Sequence, residues 1–178
     1  MADQLSAKDW LDQGLKTLAR SGFTALKAEP LAKEMGVSRG SFYWHFADVD
    51  AFHTAILEHW RDVAAEQIIA NIEAAADHDD PVQLLLRGAF GGKLALENAV
   101  RTWATVDPEA RSAVQAIDRR RLSYVEGLLG ASGLSPGVAR ARARILYWAF
   151  IGYAVSDKPL PRTQQAAVLD ELARMALR

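Results

Sequence analysis

Ten residues, Val37-Ser38-Arg39-Gly40-Ser41-Phe42-Tyr43-Trp44-His45-Phe46, constrain the fold of this chain more than any other stretch. Gly36, just before them, closes one short helix, because glycine takes the left-handed conformation without a Cβ clash. Ser38 is placed to cap the next helix, its hydroxyl accepting a free N–H of the first turn. Phe42 and Phe46 are four apart, so both fall on one side and anchor that helix inward. Arg39, Ser41, Tyr43, Trp44 and His45 are left for the other faces. Tyr43 and Trp44 are adjacent and cannot both follow Phe42 inside. At least one large aromatic is therefore expected near solvent, beside side chains that bond phosphate or base edges.

Around this run the apolar periodicity is helical almost throughout, with no sustained period-two alternation. A first helix is expected over Ala7 to Arg20 on Leu11, Leu15 and Leu18, stopped by Ser21-Gly22. Phe23 and Leu26 make a short apolar connector. A second helix is expected over Pro30 to Met35, since Pro30 disfavours a helical Glu29, and a third over Arg39 to His45. Asp48 should cap a long helix from Val49 to Ala76, with Phe52, Ile56, Leu57, Trp60, Ala64, Ile68 and Ile72 inward. Asp77-His78-Asp79-Asp80-Pro81 reads as a turn, and Pro81 as the first residue of a helix with Leu84, Leu85 and Phe90 inward. Gly91-Gly92 ends or kinks it. Leu96, Val100, Trp103 and Val106 mark the next helix. Asp107-Pro108 opens another, to Leu129, with Val114, Ile117, Tyr124 and Leu128 inward. Pro136 to Ser156 is a further helix. After Pro159 and Pro161, Thr163 should cap a final one carrying Val168, Leu169, Leu172 and Met175. The expected class is all-α: a three-helix head, residues 1–50, joined through a long fourth helix to a helical core, residues 51–178.

Leu31-Ala32-Lys33-Glu34-Met35-Gly36-Val37-Ser38 followed by Arg39 to Phe46 resembles the DNA-binding signature of the TetR family of transcriptional regulators. That signature is a helix, Ile/Leu-Ala-x-x-x-Gly-Val-Ser, then a short recognition helix ending Tyr-x-His-Phe. The resemblance covers roughly residues 6–60, and it implies a helix-turn-helix reading double-stranded DNA, the other helices forming a ligand-binding and dimerisation core. Lys27, Ala28, Ser38, Arg39, Gly40, Ser41, Tyr43, Trp44 and His45 are the candidate DNA-binding residues. Arg39 is the candidate for base readout, with guanine the expected base. Ser41 and Tyr43 can bond phosphate, and the Tyr43 ring can cover a thymine methyl. Gly40 lets the backbone approach the groove, and Trp44 can contact sugar or phosphate through its indole N–H. His45 corresponds to the family's phosphate-contacting histidine; a packing role is its alternative. Two positions depart from the pattern. Lys27 stands where a capping threonine is frequent, and Val49 where a cationic phosphate contact is frequent. Glu29 can accept from a cytosine amino group or lie solvated.

The net charge of −1 hides an asymmetry. Residues 1–50 carry six Lys/Arg against seven Asp/Glu, residues 51–107 four against nine, and residues 108–178 eleven against six. The head is thus not basic overall, so its reading rests on where Lys27, Arg39 and His45 face, and binding should weaken as salt rises. The absence of cysteine excludes disulfides and thiolate metal sites. No basic stretch followed by an apolar run marks a signal peptide at Met1-Ala2-Asp3-Gln4. The longest charge-free apolar stretch, Ile145 to Ser156, has 12 residues, short of the roughly 20 that span a bilayer. A cytoplasmic location is the simple expectation.

That same stretch is apolar almost all round, which requires a helix surrounded on every side. Ile145, Trp148, Ala149, Gly152 and Val155 form one stripe, and Leu146, Phe150 and Tyr153 another. The first stripe, with Leu169, Leu172 and Met175 of the last helix, is the candidate homodimer interface; the resemblance implies a four-helix bundle there. Palindromic operators follow from such symmetry. Trp60, Phe90, Trp103, Tyr124 and Tyr147 are the candidate contacts for a small hydrophobic or aromatic ligand, and each also fits an ordinary core position. Arg119-Arg120-Arg121 point around a helix and make no single patch; a solvated face with one interhelical ion pair fits better. His53 and His59 share no face suited to a metal. No nucleophile–base set, phosphate loop or metal cluster is visible, so neither cofactor nor enzymatic activity is expected. The function expected is a homodimeric repressor released from DNA by its ligand. An activator of the same fold, and a helical adaptor that no longer reads DNA, remain open alternatives.

Overall fold

The computed structural model describes residues 5–75, 80–92, 94–156 and 160–178. The described residues contain ten α-helices and no strand: α1 Ala7–Ser21, α2 Ala28–Glu34, α3 Arg39–Tyr43, α4 Val49–Arg61, α5 Gln67–Ala75, α6 Pro81–Phe90, α7 Leu94–Trp103, α8 Pro108–Ala131, α9 Pro136–Ala154 and α10 Arg162–Leu177. The all-α class is as the periodicity requires. Ala76, the acidic turn residues Asp77, His78 and Asp79, and Pro159 lie outside the described residues.

Two compact units form, one from residues 1–62 with 95–115, the other from residues 63–94 with 116–178. In the first, α1 packs on α4 and α2 on α3 around Trp10, Leu18, Leu31, Phe42, Phe52, Ile56 and Trp60, all fully buried. Trp103 of α7 stacks on Phe23 at 4.5 Å and meets His53 edge-on at 5.5 Å. The second unit has its own core, including Val82, Leu86 and Phe90 of α6, Val125 and Leu129 of α8, Leu146 and Phe150 of α9, and Leu169, Ala173 and Ala176 of α10.

Local chemistry explains several helix starts. Asp48 accepts the Ala51 N–H at 2.7 Å, and Asp80 accepts from Val82 at 2.9 Å with Pro81 at the first helical position. Such caps contribute about 1 kcal/mol each. Asp107 takes the same role toward Ala110 at the start of α8.

Several boundaries differ from those the sequence suggests. The second helix begins at Ala28, not Pro30, with Glu29 helical. Pro30 falls in the first turn, where the missing N–H would have had no intrahelical partner. The third helix ends at Tyr43, not His45. Thr163 lies inside α10, whose cap position is Pro161, and makes no cap hydrogen bond. Val106 is 74% exposed in the turn after α7. On α6 the buried positions are Val82, Leu86 and Phe90, leaving Leu84 and Leu85 half-buried. On α8, Val125 and Leu129 are buried where Tyr124 and Leu128 were expected.

The long fourth helix is not one α-helix. A π-helical turn, Asp62–Glu66, separates α4 from α5. It inserts one residue into the register, so the buried side chains after Trp60 are Ala65, Ile69 and Ile72, whereas Ala64 and Ile68 are half-buried. Adjacent arginines of α8 hold this turn. Arg120 makes a two-pronged contact with Glu66 at 3.1 and 3.2 Å, the interhelical ion pair the sequence suggested. Arg121 donates to the Ala64 carbonyl at 3.1 Å and lies over the Phe150 ring.

Candidate DNA-binding site

The connection from α2 to α3 is a tight helical stop. Gly36 has φ +70°; its N–H donates to the Lys33 carbonyl at 3.2 Å, and the Val37 N–H to the Ala32 carbonyl at 3.0 Å. This double closure is the Schellman arrangement. It needs the left-handed conformation that glycine supplies, as the sequence indicated. Ser38 occupies the cap position of α3 with an extended backbone, yet its hydroxyl makes no cap hydrogen bond. Its carbonyl instead accepts the Ser41 N–H at 3.0 Å. The expected side-chain cap is thus absent: Ser38 is exposed, so its hydroxyl has water as an alternative partner.

α3 is held from beneath by an aromatic cluster. Phe42 is fully buried and Phe46 is 8% exposed. Phe42 meets Trp10 edge-on at 5.4 Å and Phe52 edge-on at 5.1 Å, and lies tilted against Phe46 at 5.3 Å. Trp10 is the anchor the sequence reading missed. The signal was present: Trp10, Gly14 and Leu18 recur at helical spacing and line one face of α1, all three buried. Arg20 clamps Glu34 through two 2.8 Å hydrogen bonds, tying α1 to α2, and this guanidinium holds the Glu34 carboxyl below its ordinary pKa.

On the opposite face, Trp44 is 85% exposed and Tyr43 42%. Arg39, Ser38 and Gly40 are exposed, and Ser41 and His45 half-buried. Arg39 is not a loose side chain. Its Nη2 donates to the Tyr43 hydroxyl at 3.1 Å, and its guanidinium carbon sits 5.5 Å from the Tyr43 ring centroid. The Tyr43 hydroxyl, with Glu29 as a lesser influence, raises the Arg39 pKa further above its usual value. Lys27 is exposed at the start of α2 and caps nothing through its side chain, while Ala28 beside it is only 4% exposed and faces the core. A short helix thus presents a cation, two aromatics and small hydroxyl residues outward from a rigid aromatic floor.

The other candidate residues lie elsewhere. Trp60 and Trp103 belong to the first unit's core, and Phe90 and Tyr147 to the second's. Tyr147 donates to Asp118 at 2.5 Å. Of the five aromatics, Tyr124 alone lines the groove of about 410 Å³ that runs beside Ile72, Glu73, Pro81 and Arg120. Burial, then the nearby Glu73 carboxylate, pushes the Tyr124 hydroxyl pKa up. On α9, at its cap Val155 and on α10, Ile145, Trp148, Gly152, Val155 and Met175 are exposed, Ala149 and Leu172 half-buried, and Leu169 is 9% exposed. Among the described residues no helix is long and apolar enough to cross a membrane.

Residues 11–55 match the model of the bacterial regulatory proteins of the tetR family. The HTH-type transcriptional regulator YerO of Bacillus subtilis (strain 168) is 28% identical over 92 residues, a match spanning 40% of this chain and 32% of YerO. Two solved structures share the fold over nearly the whole chain. A transcriptional regulator from Saccharomonospora viridis in complex with choline has a TM-score of 0.74 at 15% identity, covering 94% of this chain and 95% of its own. The multidrug binding protein EbrR complexed with imidazole has a TM-score of 0.61 at 24% identity, covering 96% of each. The matched segment holds the buried-and-exposed pattern of α3, and the fold agrees along the remaining helices. The match to the tetR family of bacterial regulatory proteins thus covers the helix-turn-helix segment, and the likeness along the remaining helices is one of fold.

Proposed function

We propose that this protein is a cytoplasmic, homodimeric transcriptional repressor that reads a palindromic operator in double-stranded DNA and is released by a small hydrophobic or aromatic ligand. The observation that carries this reading is α3: Phe42 and Phe46 lock it from below while Arg39, Tyr43 and Trp44 stand outward. A packing helix has no reason to expose a tryptophan, whereas a groove-reading helix places such side chains on phosphates and base edges. Residues 1–50 form the DNA-binding domain and residues 51–178 the regulatory and dimerisation domain. Lys27, Ser38, Ser41 and His45 contribute phosphate contacts, and Gly40 permits close approach of the backbone. Choline and imidazole in proteins of the same fold support a small organic effector. The effector acts by population shift: it weakens DNA binding only by its preference for the conformation that does not fit the two half-sites.

The test is a gel shift of the purified chain on the DNA flanking its own coding region, at low and moderate salt. Saturable binding that weakens with salt and falls at least about tenfold in Arg39→Ala is expected, since a good arginine–base contact carries roughly 1–3 kcal/mol. Binding that Arg39→Ala leaves unchanged would sink the reading of α3.

A further inference from the structure

Arg39 and Tyr43 are four apart on α3, and they touch before any DNA is present. The Arg39 Nη2 donates to the Tyr43 hydroxyl at 3.1 Å and the guanidinium lies 5.5 Å from the ring centroid. The Tyr43 ring packs edge-on against Phe42 at 5.2 Å, and Phe42 has no exposed surface. The guanidinium is therefore tied, through one aromatic ring, to the rigid floor of the helix. An arginine so tied has fewer conformations to lose on binding than a free one. Its remaining N–H donors stay available for the paired acceptors of a guanine edge. A phenol hydroxyl has one proton and two lone pairs. Accepting from Arg39 occupies a lone pair and leaves the proton free for a phosphate oxygen, and the bond it accepts polarises the hydroxyl into a stronger donor.

Resting on the DNA-reading role proposed above, we infer that Tyr43 is the positioning residue for guanine recognition by Arg39. Its hydroxyl relays between the base-reading guanidinium and a backbone phosphate, so that base identity and phosphate register are read as one unit. A tyrosine that bonded phosphate alone would contribute equally on every sequence. A coupled tyrosine contributes most where the guanine is present. Trp44 has no such tie and is 85% exposed, which leaves it to contact DNA independently of base identity.

The experiment is selection of binding sites from a random duplex library by the full chain, by Arg39→Ala and by Tyr43→Phe, with affinities then measured on the selected site and on its single-base variants. Tyr43→Phe keeps the ring on Phe42 and removes only the hydroxyl, and thermal melting of each variant checks the fold. The wild type is expected to fix a guanine at one position of each half-site. Arg39→Ala should lose that preference, and Tyr43→Phe should weaken it about tenfold while the rest of the motif stays. The double variant should lose no further guanine preference beyond Arg39→Ala. Uniform weakening by Tyr43→Phe on all sequences, guanine preference intact, overturns the relay and leaves a plain phosphate contact. A wild type that selects no sequence overturns the DNA-reading role itself.

Discussion

At the scale of single residues, the head depends on how closely α1 approaches α4. Gly14 marks the point of contact. A Cβ there would collide with Ile56 Cδ1 and lie 2.8 Å from Phe52 Cζ. Both are ends of side chains, but both residues are fully buried, so neither has space to swing into. Gly14→Ala gains up to about 1 kcal/mol from helix propensity. Overpacking of a close-packed core costs about 1–3 kcal/mol, and the overpacking term wins. The variant is expected to unfold about 1–2 kcal/mol less stably in urea titrations, with an unchanged m-value; equal or higher stability would mean that α1 and α4 separate freely. This contact was not legible in the sequence, because a glycine inside a helical pattern does not announce which neighbour has claimed the missing Cβ. Residues whose role is set by the backbone alone were legible: Gly36 by its left-handed turn, and Asp48 and Pro81 by capping chemistry. Ser38 was half legible, its position fixed by the turn and its hydroxyl's partner left to competition with water.

At the scale of elements, periodicity located the helices but could not see a change of helix type. The stripe Phe52, Ile56, Leu57, Trp60 continues in an unbroken α-register to Ala64 and Ile68. The π-helical turn at Asp62–Glu66 moves burial to Ala65 and Ile69. Ile68 and Ile69 are chemically equal, so the pattern alone gives no preference between the two registers. A π-turn is an α-helix with one residue inserted, which makes a sharp prediction. Deleting Asp62, an exposed residue of the turn, should restore α-geometry while Ala65, Ile69 and Ile72 keep their inward positions. Deleting Ala55, within α4, should instead rotate the following side chains by about 100° and bury polar groups. Circular dichroism melts should therefore show cooperative unfolding for the Asp62 deletion and a collapsed or absent transition for the Ala55 deletion. Equal damage from both would mean that the turn, held by Arg120 and Arg121 of α8, is required for the fold itself.

At the scale of the whole molecule, the proposed dimer rests on the stretch from Ile145 to Val155. The sequence separated it into two stripes, and the burial follows them. Leu146 and Phe150 are in the core with Tyr153 half-buried, whereas Ile145 is 54%, Trp148 68% and Val155 46% exposed. On α10, which packs against α9, Val168 is 41% and Met175 61% exposed. Large exposed side chains on two helices that pack together are a liability for a monomer and a candidate face for a partner. A second copy of this chain is the proposed partner, since a two-fold axis lets the same stripe meet itself and gives a helix-turn-helix protein the paired half-sites about 34 Å apart that it needs. Trp148→Glu is the discriminating change. Trp148 is mostly exposed within the chain, so a substitution there should alter its own folding by only about 0.5 kcal/mol. At an isologous interface the same change sets two carboxylates into apolar contact, and burying an unpaired charge is far more costly. Light scattering should give the wild type twice the chain mass of 19.5 kDa and the variant the chain mass itself, with the helical signal retained. The variant should also lose operator affinity together with its second half-site, although it keeps every residue of α3. A wild type that runs as a monomer at micromolar concentration would remove the dimer from the proposal and leave the α9 stripe to a different partner.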